Sequence, residues 1–337
     1  MKNDIQTKAN SQMTLEEVSQ KYNNGKKILD FVGSKKIFFG ISLAIIVIGI
    51  ICNFIFGATL DIQFTGGATL KFSYTATDGI SQNDIENFIQ SKTEAVISTT
   101  FSSDLLGNSE SIVSVQFPGN STVATDVQKN LEADLQKQYP DSNFVTLEAS
   151  SVDASMGFSF FLKCLVAVAI ASVLMVLYVT IRFKKIGGLS AGVMALVALF
   201  HDVVMIYFFY VIFQMPIDSS FIAVVLMILG YSINDTIVVY DRVREERKVL
   251  GSKADVAMVF NLSNTKTMKR TIMTTVTTVL AVLVVYVVAV VFNIASVQAF
   301  ALPMMVGLIS GSYSSLCIAG PLWVMWQNHK KAKKASK

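Results

Sequence analysis

The stretch Tyr231–Arg242, YSINDTIVVYDR, closes a strongly apolar run and sets an amide, Asn234, beside a carboxylate, Asp235. Polar neighbours of this kind inside a lipid-compatible segment make sense only in a particular setting, and the rest of the chain supplies it. Of 337 residues, 52% are hydrophobic and 15% charged, with a mean hydropathy of +0.53. A soluble domain carries about 25% charged residues. By composition this is a membrane protein. Its net charge of +4 is too small to argue for nucleic acid. Cys52, Cys164 and Cys317 lie in apolar runs, are odd in number and lack metal-site spacing, so they read as buried thiols. Two histidines leave little room for a zinc site.

A membrane helix needs roughly 20 mostly apolar residues. Six stretches qualify: Ile37–Phe56, Phe158–Ile181, Ile186–Phe213, Phe221–Tyr240, Thr271–Phe292 and Val297–Trp326. The first lies too far along the chain for an ordinary cleaved signal and reads as an uncleaved anchor. Basic residues cluster before the first span (Lys26, Lys27, Lys35, Lys36), between the second and third (Arg182, Lys184, Lys185), from Arg242 to Arg270, and after the sixth (Lys330, Lys331, Lys333, Lys334). The short connections Gln214–Asp218 and Asn293–Ser296 carry none. The positive-inside rule then predicts both termini in the cytoplasm. The expected organisation is a cytoplasmic segment over residues 1–36, the anchor over 37–56, an extracytoplasmic domain over 57–157, a five-helix bundle over 158–326 and a basic tail over 327–337.

The insert is acidic and alternates strand and helix signals. Thr69–Tyr74 has period two, and Ser81–Phe88 opens with a capping residue and continues at helical spacing. Two β-rich runs follow, Ala95–Phe101 and Ser111–Phe117, split by Gly107-Asn108; then come a helix over Ser121–Gln138 and a strand over Asn143–Ser150. The order βαββαβ predicts a ferredoxin-like α+β domain. Upstream, Thr14-Leu15-Glu16-Glu17 has the form of a capping box. Ile28, Leu29, Phe31 and Val32 beside lysines suit either a helix on the inner membrane surface or an unstructured tail.

Ionisable groups inside spans cost about 2.5–3.5 kcal/mol each and face a protein interior or a water path. Here they are His201 and Asp202 in the third span, Asp235 in the fourth and Arg270 opening the fifth. At about 1.5 Å per residue, Asp235 lies some 9 Å from the end marked by Asp241, within reach of an arginine entering from that side. Arg270, Thr274, Thr277, Thr278 and Ala281 draw one stripe down the fifth span. Gly307, Gly311, Ser315 and Ala319 form a small-residue groove on the sixth, and Gly188 and Gly192 do so on the third. Plainer readings stand beside each of these. The threonines can bond their own backbone, the glycines can be packing alone, and Asp235 with Arg270 can be a static salt bridge. Asp241-Arg242 reads as an interfacial pair. His201 and Asp202 point about 100° apart on a helix, so a structural role for His201 serves as well as proton relay.

Gly230–Arg242 closely resembles the signature of the SecF branch of the SecD/SecF family, in the RND superfamily. Further matches, in order, are Phe64-Thr65-Gly66-Gly67, Tyr178–Phe183, His201-Asp202, Arg270-Thr271 with Thr274-Thr275 and Thr277-Thr278, and Gly311–Ser315. The resemblance implies a bacterial inner-membrane subunit that works with SecD at the SecYEG channel. A YidC-like insertase is a further neighbour, and a translocating polypeptide is the cargo. It implies no cofactor beyond a transported proton or sodium ion, which would drive the outer domain to pull on the emerging chain. Asp235 and Arg270 would carry ion coupling, with Asn234, Asp202, His201, Thr274 and Thr278 around them. Gly66 and Gly67 would join the anchor to the outer domain, and Gly307, Gly311 and Ser315 would pack helices. The family usually has Asp where Gln63 stands, and Gly-Pro-x-x-Gly where Asp153–Gly157 stands. Two other classes compete. Half of an ion-coupled small-molecule exporter would bring a larger or second outer domain, and an intramembrane aspartyl enzyme would need a Gly-x-Gly-Asp segment that the chain lacks.

Overall fold

The computed structural model describes residues 14–75, 81–93, 97–103, 110–118, 125–152, 154–251, 254–292 and 294–335. Six helices are long and apolar enough to cross a membrane, at Lys35–Phe56, Met156–Arg182, Gly188–Ile212, Ser219–Leu250, Val256–Val291 and Ser296–Lys333. They are the first to sixth spans below. The end of the bundle beside the inserted domain is the domain end; the other is the basic end.

Two spans run well past their apolar stretches. The fourth helix continues through the charged residues to Leu250 and stops at Gly251, whose φ of +94° suits glycine. The fifth starts at Val256, capped by Asp255 accepting from the Met258 N–H at 3.2 Å. The region between Arg242 and Arg270 is therefore mostly helix. Its charges are paired: Arg242 reaches Glu246 at 2.6 Å, and Lys266 of the fifth span reaches the same carboxylate at 2.8 Å. Asp241 pairs with Arg182 at 3.1 Å and Arg244 at 2.7 Å, so Asp241 and Arg242 bind other partners than each other.

The segment before the first span belongs to the bundle. The capping box forms between Thr14 and Glu17 and starts the helix Leu15–Tyr22. Ile28 and Phe31 are buried in the same core as Phe183, Tyr240, Phe260 and Trp323. Asn261 holds them there: its Oδ1 accepts from the Phe31 and Val32 N–H groups at 3.1 and 3.2 Å, and its Nδ2 donates to Asp30 at 2.7 Å. Neither a membrane-surface helix nor an unstructured tail describes residues 28–32. A protein core takes the apolar side chains, and one side-chain amide satisfies the backbone.

The inserted domain contains four strands among its described residues: β1 Gly67–Thr75, β2 Ser98–Ser103, β3 Glu110–Pro118 and β4 Val145–Val152. They pair antiparallel in the order β2-β3-β1-β4. Helices Gln82–Thr93 and Thr125–Gln138 accompany the sheet. Ile85, Ile89, Leu131 and Leu135 meet Leu70, Phe72, Val113, Val115 and Phe117 in one core, as the period-two alternation of β1 requires. The Gly107-Asn108 turn and the start of the second helix at Ser121 fall outside the described residues.

The fourth and sixth spans run side by side. A Cβ on Gly307 would lie 2.7 Å from Ile228 Cγ1, and one on Gly311 would lie 3.0 Å from Ser232 Cβ. The Ser315 hydroxyl meets that of Thr236 at 2.9 Å, and Tyr240 donates to the Ala319 carbonyl at 3.5 Å. Each rung needs a small residue on the sixth span because the backbones approach this closely. Between Ser315 and Ala319 the sixth span makes a π-helical turn, a form concentrated at functional sites.

Candidate functional site

Asp202 is fully buried, at 0% exposure. Its Oδ2 accepts from Ser232 at 2.9 Å and Ser314 at 2.7 Å; its Oδ1 accepts from Ser310 at 2.9 Å and contacts His201 Nδ1 at 3.2 Å. One carboxylate thus joins the third, fourth and sixth spans. Four acceptor positions meet four partners, which makes a buried carboxylate tolerable. His201 and Asp202 do come together, since side-chain length offsets their angular separation. The His201 ring also lies 6.3 Å from that of Tyr313. Tyr313 donates to the Phe38 carbonyl at 2.7 Å, linking this node to the first span.

Asp235 lies one turn nearer the basic end than Ser232, at 3% exposure. Its Oδ2 has no hydrogen-bond partner among the described residues. Tyr231, on the same face, donates to Thr275 of the antiparallel fifth span at 3.4 Å. One turn along each helix from that contact leads to Asp235 and to Thr271, whose hydroxyl is likewise buried and unpartnered. The two aspartates contrast sharply: one is saturated, and the other has an oxygen to spare.

Asn234 is exposed on the bundle surface, while its neighbours Ile233, Asp235 and Thr236 are buried. Arg270 is exposed too, with Thr274 and Thr278 half-buried and Thr277 exposed. The fifth span buries the neighbouring face instead: Thr267, Thr271 and Thr275. No ion pair within 4.0 Å joins Asp235 to Arg270 among the described residues. Thr274, Thr277 and Thr278 each donate to a backbone carbonyl one turn back. Ser232, Ser310 and Ser314 carry the Asp202 node without having been singled out by sequence. A serine inside an apolar helix is common, and only its distance to a buried acid marks it.

At the domain end, Gly66 and Gly67 have φ of +75° and +128° and are buried where the chain enters β1. A Cβ on Gly67 would overlap the Phe117 carbonyl oxygen, so glycine is required there by close approach. Asp61 caps the short helix Ile62–Thr65 through the Gln63 N–H at 2.9 Å. Its pKa is raised, chiefly by burial and also by the nearby Asp218 charge, against the Gln63 and Gln116 hydrogen bonds and Lys71.

Residues 131–329 match the family model described as protein export membrane protein SecD/SecF, C-terminal. The chain belongs to the SecD/SecF family. It is 31% identical over 314 residues to the protein translocase subunit SecF of Sebaldella termitidis, covering 92% of this chain and 95% of that one. It is 33% identical over 308 residues to the SecDF subunit of Bacillus subtilis, covering 90% of this chain. The crystal structure of SecDF from Thermus thermophilus, a translocon-associated membrane protein, superposes with a TM-score of 0.74 at 26% identity over 93% of this chain. The chain spans about two fifths of the fused SecDF proteins, 39% of the first and 41% of the second. Family membership and six apolar helices make it a multi-pass membrane protein. The relatives carry the names of transport subunits.

Proposed function

We propose that this chain is the SecF-type half of an ion-driven accessory to the Sec translocase, working with a SecD-type partner to promote late translocation and release of secreted polypeptides. The observation that carries the reading is Asp235: a carboxylate at 3% exposure with an unpartnered oxygen, beside an arginine it does not bind. A buried carboxylate near a cation is drawn toward ionisation by the charge and toward neutrality by the dry surroundings, so its protonation can follow ion supply. The bundle would then exchange two packings around the fixed Asp202 node, moving the outer domain as a body.

The exposed face supports the partner. Asn234 and Arg270 stand at the surface of apolar spans, and an arginine facing hydrocarbon costs about 2.5–3.5 kcal/mol. A second membrane chain offering polar groups removes that cost. The names of the SecDF relatives supply the identity of the cover. The inserted domain we read as ferredoxin-like, supported by its β-α-β-β-α-β order and the sheet order β2-β3-β1-β4. It stands outside a bacterial inner membrane, with Arg182, Lys184, Lys185 and the basic tail in the cytoplasm by the positive-inside rule. The ion is the only small species the mechanism asks for, and transport rather than bond-making is the activity. Spheroplasts or proteoliposomes carrying the complex test the reading. Asp235→Asn abolishes gradient-stimulated release at unchanged protein level; undiminished stimulation discards the coupling role.

A further inference from the structure

We infer that Leu60–Phe64 and Ile217–Ser219 form a closed clamp fastening the base of the inserted domain to the first turn of the fourth span, with Gln63 its positioning residue. The inference rests on the proposed ion-coupled reading and adds the route by which the helix of Asp235 drives the domain. The two covalent connections of that domain are the first and second spans, and neither carries Asp235. The fourth span carries it and begins at Ser219.

Three sets of contacts make the junction. Leu60 and Ile217 form a parallel β-bridge: the Ile217 N–H donates to the Thr59 carbonyl at 2.9 Å, and the Asp61 N–H donates to the Ile217 carbonyl at 3.0 Å. Gln63 Oε1 accepts from the Ser219 N–H at 3.2 Å. The first N–H groups of a helix have no partner within it. Asp218 satisfies those of Ser220 and Phe221 at 2.9 and 3.2 Å, and Gln63 satisfies that of Ser219 from another segment. Asp61 extends the tie into the sheet, its Oδ2 accepting from Gln116 of β3 at 2.7 Å. Phe64, 4% exposed, packs on Phe160 and Phe161 of the second span at ring separations of 5.7 and 5.3 Å. A Cβ on Gly157 would fall 2.9 Å from the Gly66 nitrogen, so that span is pressed against the same turn. A buried Phe64 held between the second span and the sheet, with its backbone satisfied, describes a joint that transmits displacement, not one that opens.

The test uses the full chain with its SecD-type partner in membranes, with the three native cysteines replaced. Bridged residues on adjacent strands have Cα atoms about 4.8 Å apart, inside the range a disulfide spans. Leu60→Cys with Ile217→Cys is expected to oxidise nearly completely, with or without an ion gradient, and the oxidised complex keeps its stimulated release. A crosslinking yield that falls several-fold when the gradient is imposed, or release lost on oxidation and regained on reduction, overturns the clamp. Gln63→Leu is expected to lose most stimulated release while gradient-driven ion uptake persists, an uncoupling that general misfolding would not produce. Equal loss of both, or of neither, overturns the role of Gln63. If unmodified complex shows no gradient-stimulated release, the functional reading fails, and the crosslinking yield alone decides the clamp.

Discussion

Asp202→Ala removes the acceptor shared by three spans, and its cost can be worked from the node's geometry. Ser232 and Ser314 retain a second acceptor, the Gly311 carbonyl, at 3.4 and 3.1 Å. Ser310 and His201 Nδ1 have no other hydrogen-bond partner among the described residues. Hydrogen bonds between membrane helices average about 0.6 kcal/mol, so the three from Ser232, Ser310 and Ser314 contribute about 1.8 kcal/mol. A buried donor left without an acceptor costs about 1–3 kcal/mol, while removing a desolvated charge returns part of that. The net expectation is a loss of about 2–3 kcal/mol, several times that of Ser310→Ala at about 0.6 kcal/mol. Reversible unfolding in mixed micelles, titrated with a denaturing detergent and followed by circular dichroism, measures both. A loss of under about 0.5 kcal/mol for Asp202→Ala would show that the node stores no energy, and the argument from acceptor count would be wrong.

Two further outcomes follow from packing and charge. Gly320→Ala places a methyl inside the Phe260 ring, so it is expected to cost about 1–3 kcal/mol by overpacking, with Phe260→Leu restoring part of the loss in a double-mutant cycle. Additive effects would mean the two residues do not press on each other. Asp61 binds its proton more tightly in the fold than the ordinary aspartate value of 3.8. Its stabilising contribution is therefore complete below 3.8 and is lost as pH rises through the raised folded-state value. Amide exchange at Ile217, whose N–H donates to the Thr59 carbonyl and not to Asp61, should accordingly become more protected on acidification, and Asp61→Asn should flatten the trend. Protection that falls with acid in the unmodified protein would contradict the sign.

Hydropathy sufficed for the six spans because each apolar run is long and uninterrupted, and the inserted strands followed from period-two alternation and turn residues. Periodicity defines a face without saying what covers it. The stripe from Arg270 to Ala281 is a genuine face of the fifth helix, yet it is the more exposed one, and the buried threonines 267, 271 and 275 sit next to it. Charge density between Arg242 and Arg270 suggested a connection, whereas Asp255 and Gly251 confine the break to a few residues and the charges pair within and between helices. Asn261 left no trace in sequence, because the backbone groups it holds are some 230 residues away.

The offset between the fourth and sixth helices stays constant from rung to rung: 228 meets 307, 232 meets 311, 236 meets 315 and 240 meets 319, each 79 apart. A ladder of equal steps admits few alternatives. Shifting the sixth helix by a single residue would bring Leu308 and Leu316, or Val306 and Ile318, onto rungs that small residues now fill. A slide of four residues, about 6 Å at the helical rise, returns small residues to three of the four rungs and sets Trp323 or Pro303 at the last. Whatever stroke the molecule makes, these two rods are geared so that they advance by whole teeth or travel together.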